Sequence, residues 1–135
     1  MLDASHYLIL ADLTLILHAV VVTFVVLGQV VILVGWRADW RLTANVPLRV
    51  LHLVLIVFVA FESWMDIPCS LTVLENRLRT LAGAEPYDTT FIAHWLGRVL
   101  FYEAPDWVFV LAYSAFAALV AATFVLYPPH RLSRR

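Results

Sequence analysis

The long apolar run over residues 8–36 is the feature that most constrains the fold of this chain. At about 1.5 Å per residue, a helix over this run exceeds the roughly 30 Å hydrocarbon core of a lipid bilayer, so the run predicts a transmembrane helix. Three polar residues lie inside it, Asp12, His18 and Gln29. A helix face that contacts lipid has no use for an acid, an imidazole or an amide. These side chains therefore predict polar partners elsewhere in the chain, in another subunit or in a ligand.

The composition is typical of a helical membrane protein. Of the 135 residues, 63% are hydrophobic and 14% are charged, and the mean hydropathy is +0.87. All nine basic residues are arginine and the formal net charge is -1. Because a large basic surface is not expected, nucleic acid is not a predicted partner. We expect one helical domain over residues 1–135, with the lipid bilayer as its main partner.

Two further apolar runs predict two more crossings, over residues 47–66 and 107–127. Asn45 followed by Pro47 is typical of a helix start. The asparagine side chain can accept a hydrogen bond from a free backbone N–H of the first turn. Proline has no backbone N–H, and an N–H at that position would have no partner within the helix. Arg49 follows within the first turn, and we expect its charged end to extend to the nearby interface.

The third crossing repeats small residues at four-residue spacing, namely Ser114, Ala118 and Ala122. Small side chains let the backbones of two membrane helices approach closely. This pattern favours contact between the third crossing and another helix, either in a partner membrane protein or in a second copy of the chain.

The segment between the second and third crossings is too polar to span a membrane as a whole. Thr72 and Glu75 have the spacing of a capping box, so we expect a short helix that opens there and stops at Gly83. On this helix Glu75 and Arg79 are four residues apart and are expected to form a surface ion pair.

A second short helix is expected from the polar cluster at residues 88–90 to about residue 102. It is rich in aromatic and aliphatic residues but shorter than a full span, which favours an interfacial or re-entrant position. The predicted fold is therefore an all-α membrane bundle with three transmembrane helices. Two short interfacial helices, within residues 72–102, are expected on its outer side.

The arginines predict the orientation. Six of the nine lie in the first loop and its flank or in the C-terminal tail, and three lie in the acidic segment 67–105. Loops on the cytoplasmic side carry an excess of positive residues. We therefore expect the first loop and the C-terminus in the cytoplasm, with the N-terminus and the segment 67–105 outside.

The polar residues inside the crossings fall at two depths. Because the first two helices are antiparallel, His18 is level with Glu62 near the outer side, and Gln29 is level with His52 near the inner side. The vertical gap between the two histidines is roughly half the hydrocarbon thickness, so one haem iron is not expected to be held by both within one chain. At the inner level, one hydrogen bond between Gln29 and His52 is the preferred interpretation.

The outer level is the candidate functional site, a polar cluster of Asp12, His18, Glu62 and His94. A histidine beside a carboxylate can relay protons, ligate a metal, or hydrogen-bond a quinone or a lipid headgroup. The alternative is a structural pair that ties the first two helices together, since polar residues also join membrane helices.

Cysteine chemistry is limited by the single cysteine, Cys69. Neither an internal disulfide nor a cysteine-based metal cluster can form within one chain. Cys69 is expected to be a small apolar residue at a helix end, or an exposed thiol that could form an intermolecular disulfide if the outside is oxidising. No nucleophile-elbow motif is visible, so no catalytic residue is predicted.

The stretch Cys69-Ser70-Leu71-Thr72-Val73-Leu74-Glu75-Asn76 resembles the Cys-Pro-Leu-Thr-x-Leu-Glu-Asn signature of a family of small bacterial membrane proteins, the domain of unknown function 2784 family. Ser70 stands where the family usually has proline. The resemblance extends to Ala11-Asp12 with His18, to Gly83 and Tyr87, and to Phe91-Ile92-x-His94-Trp95. It implies an inner-membrane protein with no established activity, and it supplies neither a reaction nor a cofactor.

Two functional hypotheses follow. In the first, the chain is a non-enzymatic membrane component that binds a partner protein or a second copy through its small-residue helix. In the second, the polar cluster binds a lipid, quinone, metal or haem for transport or electron transfer. An open cavity shared by His18 and Glu62 would favour the second hypothesis, and a packed, closed pair would weaken it.

Overall fold

The computed structural model describes residues 2–86, 94–95, 97–98 and 104–130. Four α-helices and one short 3-10 helix are described over their whole lengths, residues 94–95 and 97–98 are also helical, and the described residues include no β-strand. The helices are α1 (Ala4–Arg37), the 3-10 helix (Arg41–Ala44), α2 (Val46–Trp64), α3 (Ser70–Leu81) and α4 (Asp106–Leu126). The all-α prediction is confirmed. The predicted short helix after residues 88–90 falls largely outside the described residues.

Three of these helices, α1, α2 and α4, are long and apolar enough to cross a membrane. At 34 residues α1 is about 51 Å long, whereas α2, at 19 residues, is about 28 Å long. Since α2 is already about as long as the hydrocarbon core is thick, α1 is long enough to extend well beyond it. The His130 amide donates a 3.1 Å hydrogen bond to the Ala44 carbonyl. This bond places the chain that follows α4 beside the first loop, between α1 and α2.

The burial pattern is the reverse of that in a soluble protein. Most of the buried side chains are polar or charged, while many leucines, valines and phenylalanines of the three long helices are exposed. Apolar side chains can face lipid, whereas a polar side chain needs a hydrogen-bond partner that lipid tails do not offer. Polar side chains are therefore buried between the helices. The buried polar set comprises Thr14, His18, Gln29, Thr43, Arg49, His52, Glu62, Thr72, Glu75 and Thr123.

A residue with positive φ lies two positions after the last residue of each of α1, α2 and α3. These residues are Asp39 (53°), Asp66 (55°) and Gly83 (75°). In each case the next amide bonds the carbonyl five residues back, which is the Schellman arrangement: Trp40 to Gly35, Ile67 to Glu62 and Ala84 to Arg79, each 2.9 Å. The predicted stop at Gly83 is confirmed. α2 ends at Trp64, before Pro68, because this local cap closes it first.

The helices pack as two pairs, α1 with α3 and α2 with α4. A small apolar core of Val25, Ile56 and Val120 joins the three long helices. Glycines on α1 permit its close contacts with the rest. A Cβ at Gly28 would lie 3.1 Å from the His52 ring, and a Cβ at Gly35 would overlap the Thr43 side chain.

The helix starts bear out one predicted cap and contradict the other. Asn45 is the N-cap of α2, and its side chain accepts a 3.2 Å hydrogen bond from the Leu48 amide, as predicted. The capping box of Thr72 and Glu75 is wrong. α3 begins at Ser70, with Cys69 as its N-cap, so Thr72 and Glu75 lie inside the helix.

Candidate functional site: two polar clusters

The outer polar cluster forms where α3 lies along the N-terminal half of α1. Arg79 near the end of α3 contacts Asp12, and Cys69 at its start contacts His18. Since residue numbers rise along α1 as they fall along α3, the two helices are antiparallel. α3 therefore presents its polar side to the polar residues of α1.

Glu75 is at the centre of this contact. It is 0% exposed, and its carboxylate accepts a 2.9 Å hydrogen bond from Arg79 Nε. Arg79 Nη2 bridges onward to Asp12 Oδ1 at 3.2 Å. Burial alone would lower the pKa of Arg79, but its hydrogen bonds and ion pairs with Glu75 and Asp12 raise the pKa above its ordinary value. The ion pair between Glu75 and Arg79 forms as predicted. The predicted surface position is wrong for Glu75, because Glu75 is on the side of α3 that faces α1.

Glu62 belongs to the last turn of α2 and holds the start of α3. Its Oε1 accepts hydrogen bonds from the Ser70 amide at 3.1 Å and from the Ser70 hydroxyl at 2.5 Å. The N-cap Cys69 makes no capping bond with its own side chain. A carboxylate from the preceding helix, α2, therefore caps α3, which no local motif in the sequence indicates.

His18 lies between these acids. It is 6% exposed, and its Nε2 lies 3.7 Å from Cys69 Sγ. The carboxylates of Glu75 and Glu62 are close enough to act electrostatically on the imidazole. The structure thus brings Asp12, His18 and Glu62 to one end of the bundle, and adds Glu75 and Cys69, which the sequence interpretation had left outside the cluster.

His94, the fourth predicted member, lies among residues that are mostly outside those described. Its ring is edge-on to Trp95, with 5.7 Å between centroids, and the Arg98 guanidinium lies 5.8 Å from the Trp95 ring centroid. Membership of His94 in the cluster stays a prediction.

The outer cluster is closed rather than open. His18, Glu62 and Glu75 are all buried, and two grooves on the surface of the described part of the chain are apolar and are lined by none of these three residues. The groove between α1 and α3, about 340 Å³, is lined by Leu10, Leu13, Thr14, Leu17, Leu74 and Leu78. Within the described ranges, no three His, Cys, Asp or Glu side chains are grouped so that they could hold a metal ion.

A second polar cluster lies at the opposite end of the bundle, beside the first loop, and centres on Arg49, which is 2% exposed. Its guanidinium donates to the backbone carbonyls of Thr43 at 3.2 Å and Thr123 at 3.0 Å. It also lies over the rings of Phe124 and Tyr127, at 5.6 and 5.3 Å. The expected extension of Arg49 to the interface is wrong, because the loop and the end of α4 offer acceptors inside the bundle.

Gln29 and His52 belong to the same end but do not bond each other. Gln29 donates to Thr123 Oγ1 at 3.2 Å, and His52 Nε2 donates to the Val25 carbonyl at 2.7 Å. The predicted Gln29–His52 hydrogen bond is therefore wrong. Because Gly28 has no side chain, the His52 imidazole can approach α1 closely enough to reach a backbone carbonyl. The prediction compared only the depths of the two side chains in the membrane, so it could not indicate this contact.

A family model described as Protein of Unknown function (DUF2784) matches residues 8–129. The chain belongs to this family. The matched part includes most of α1 and the whole of α2, α3 and α4. Neither a curated protein nor a solved structure matches the chain significantly. Family membership therefore confirms the resemblance and brings no reaction with it.

The stretch that carried the resemblance begins at the N-cap of α3 and covers its first two turns. Thr72 and Glu75 are buried against α1, Asn76 is half-buried, and Leu74 faces outwards. Leu71 is half-buried, as is Cys69 beside His18. In the structure this family motif is therefore the surface by which α3 docks on the bundle.

Proposed function

We propose that this protein is a non-enzymatic integral protein of the bacterial inner membrane that works by helix–helix association in the bilayer. The observation that carries the proposal is the exposed small-residue side of α4. Ala115, Ala118 and Ala122 are all exposed, at spacings of three and four residues. Small side chains at such spacing let a second helix approach closely, and packing drives association where lipid removes the hydrophobic effect.

Ser114, the first residue of the predicted small-residue pattern, is used inside the bundle. Its hydroxyl accepts a 2.6 Å hydrogen bond from Trp64 Nε1 and donates one of 2.6 Å to the Val110 carbonyl. α4 therefore faces α2 with Ser114 and leaves the alanine side for another molecule. We propose a second copy of the chain as the occupant, because two alanine sides of the same spacing can pack on each other symmetrically.

A cysteine-crosslinking experiment tests this association. In a Cys69→Ser background, Ala118→Cys is expected to give a crosslinked dimer when membranes are oxidised, because the alanine sides of two α4 helices would bring the thiols together. The matched control is Val57→Cys, on an exposed position of α2. Non-reducing gels provide the measurement. Equal crosslinking at both positions, or none at residue 118, would count against the second copy.

The two ends of the bundle differ in charge, which supports the proposed orientation. The His130–Ala44 bond brings the C-terminal end beside the first loop, while α3 is at the opposite end against Asp12. Six of the nine arginines belong to the loop and tail side or its flank. By the positive-inside rule, we propose that this side is cytoplasmic.

Reporter fusions after Arg41, Gly83 and Arg135 test the orientation. We expect cytoplasmic signals from the first and the last fusion, and an outside signal from the fusion at Gly83, because an odd number of crossings separates α3 from each basic end. A cytoplasmic signal at Gly83 would overturn the proposed topology.

The side chains of α3 support an interfacial position for this helix. α3 buries Thr72 and Glu75 against α1 and exposes Val73, Leu74 and Leu81. A helix in water would bury its leucines instead, so the exposed leucines are suited to the lipid interface.

Binding of a lipid, quinone, metal or haem inside the outer cluster is less well supported. His18 and Glu62 are buried by packing, and neither of the two apolar grooves described above is lined by them. Their observed partners, Cys69 and Ser70, join helices to one another. The closed cluster favours a role in holding α3 against the bundle.

A further inference from the structure

The helix α3 is amphipathic, and its polar side is the side that meets α1. It buries Thr72 and Glu75, whereas Val73, Leu74 and Leu81 are exposed. The apolar side can therefore stay at the lipid interface whether or not α3 is docked on α1. Release of α3 would exchange α1 for water on its polar side only.

The side of α1 that α3 covers can also face water. The buried residues at that end of α1 are Ala11, Thr14 and His18, none of which is a large apolar residue. The Thr14 hydroxyl donates a 2.8 Å hydrogen bond to the Leu10 carbonyl within its own helix, so it needs no partner from α3. Uncovering this side would expose little apolar surface, and the hydrophobic effect therefore contributes little to docking.

Carboxylates hold α3 at its start, at its centre and near its end. At the start, Glu62 of α2 accepts hydrogen bonds from the Ser70 amide and hydroxyl. Near the end, Arg79 bonds Asp12 of α1, and the fully buried Glu75 accepts a second bond from Arg79. Each contact is strongest while its carboxylate is ionised, because hydrogen bonds to a charged acceptor are roughly twice as strong as neutral ones.

The other titratable groups described near Glu75 do not supply a negative charge in acid. His18 of α1 interacts electrostatically with Glu75 and Glu62, and Cys69 does so with Tyr113 of α4. Histidine, cysteine and tyrosine carry no negative charge below neutral pH. The carboxylates therefore provide the negative charge that holds α3.

Arg79 is the group that acid would leave without a counter-ion. Its side chain is 21% exposed and contacts both Glu75 and Asp12. Burial acts to lower the pKa of Arg79, but the contacts with these two carboxylates raise the pKa above its ordinary value. Arginine remains a cation at acid pH. Protonation of both carboxylates therefore leaves a largely buried cation between α3 and α1, which favours release of α3 into water.

The three long helices are joined by contacts that do not involve α3. The apolar core of Val25, Ile56 and Val120 lies between them. Thr123 of α4 also accepts hydrogen bonds from Gln29 of α1 and Arg49 of α2. Release of α3 is therefore a local movement that leaves these helices packed.

We propose that α3 is a pH-sensitive switch, which docks on α1 at neutral pH and is released from it in acid. Asp12, Glu62 and Glu75 take up the protons. Docking is present while these carboxylates are ionised and is lost as the pH falls through the range in which carboxylates titrate, about pH 4. Release uncovers His18 and Cys69, which the docked helix holds against each other.

The switch is independent of the proposed association, because none of its residues belongs to the alanine side of α4. A failed crosslink at residue 118 would therefore leave the switch intact. A helix α3 that stays docked in acid would likewise leave the proposed association intact.

The test is a distance measurement between two nitroxide labels by pulsed electron spin resonance, on the full chain in lipid vesicles. In a Cys69→Ser background, the labels are attached to Ile9→Cys on α1 and Leu81→Cys on α3, both exposed positions. Labelled protein is diluted with unlabelled protein, so that only distances within one chain are measured. We expect one short distance at neutral pH, and a longer, broader distribution at about pH 4.

A second label pair distinguishes release of α3 from unfolding of the whole bundle. Labels on Val34→Cys of α1 and Val125→Cys of α4, both exposed and both near the first-loop end, should keep the same distance at both pH values. A change in this pair at the same pH as the change between residues 9 and 81 would overturn the proposal, because it would mean that the long helices also separate.

Two substitutions separate the buried acid from acids in general. Glu75→Gln keeps the shape of the side chain and removes its charge, so α3 should be released already at neutral pH while the second label pair is unchanged. Glu85→Gln, an exposed acid just beyond α3, should respond to acid as the unsubstituted chain does. An Ile9–Leu81 distance that does not change in acid, or a folded Glu75→Gln chain that stays docked at neutral pH, would show that α3 is not such a switch.

Discussion

Replacing Arg49 with alanine is expected to lower the free energy of unfolding by about 4 kcal/mol, the largest effect we anticipate in this chain. The guanidinium satisfies the carbonyls of Thr43 and Thr123 and packs against the rings of Phe124 and Tyr127. The substitution leaves two acceptors without their donor and opens a cavity where the first loop meets the end of α4. Thermal unfolding in mild detergent provides the measurement.

Two control variants separate charge from geometry. Arg49→Lys keeps the charge but cannot place two donors in a rigid fork, so we expect an intermediate loss. Arg41→Ala removes an exposed arginine from the adjoining turn and should change stability by less than about 0.5 kcal/mol. Unchanged or increased stability of Arg49→Ala would show that the cost of burying this cation equals or exceeds the stabilisation from its contacts.

Replacing Glu75 with alanine is expected to cost about 3 kcal/mol and to release α3 from α1. Glu75 is fully buried, and its carboxylate holds Arg79, which in turn bridges to Asp12. Without the carboxylate, Arg79 keeps only the exposed acid, and the surface between the two helices contains a void. The melting temperature should fall, and proteolysis within α3 should become faster because the helix opens locally.

The matched control for this prediction is Glu85→Ala, an exposed acid just beyond the end of α3, which should leave the melting temperature unchanged. A double-mutant cycle between Glu75→Ala and Arg79→Ala isolates the energy of the pair. We expect the two losses to be far from additive. Additive losses would show that Glu75 stabilises the helix contact by packing alone.

Several parts of the fold are visible in local sequence patterns. Long apolar runs, the Asn45-Pro47 start and the Gly83 stop depend on composition and on neighbouring residues, and the structure shows these features where they are predicted. The capping box at Thr72 and Glu75 has equally good local spacing but is wrong, because Glu62 on α2 caps α3 instead. Local patterns describe which contacts are available, and packing selects among them.

The candidate site was less predictable than the fold. Depth matching brought His18 and Glu62 to the same end, but it could not show that Cys69 turns inwards to the imidazole. Glu75 was interpreted as a surface acid because its spacing to Arg79 suits an exposed ion pair. Its burial depends on which side of α3 meets α1. A helix of a soluble protein buries its apolar side, whereas α3 exposes leucines and buries its polar side against α1.

By itself, the sequence determined that this is an all-α chain with three helices able to cross a membrane, because length and hydropathy along the chain suffice for that. Only the tertiary structure decided the partners of the buried polar groups: Arg49 with two carbonyls, Glu75 with Arg79, and His18 with Cys69. The physical reason is that lipid contact specifies merely that a helix side be apolar. Pairing polar groups requires the distances, close approaches and helix directions that arise when the helices pack.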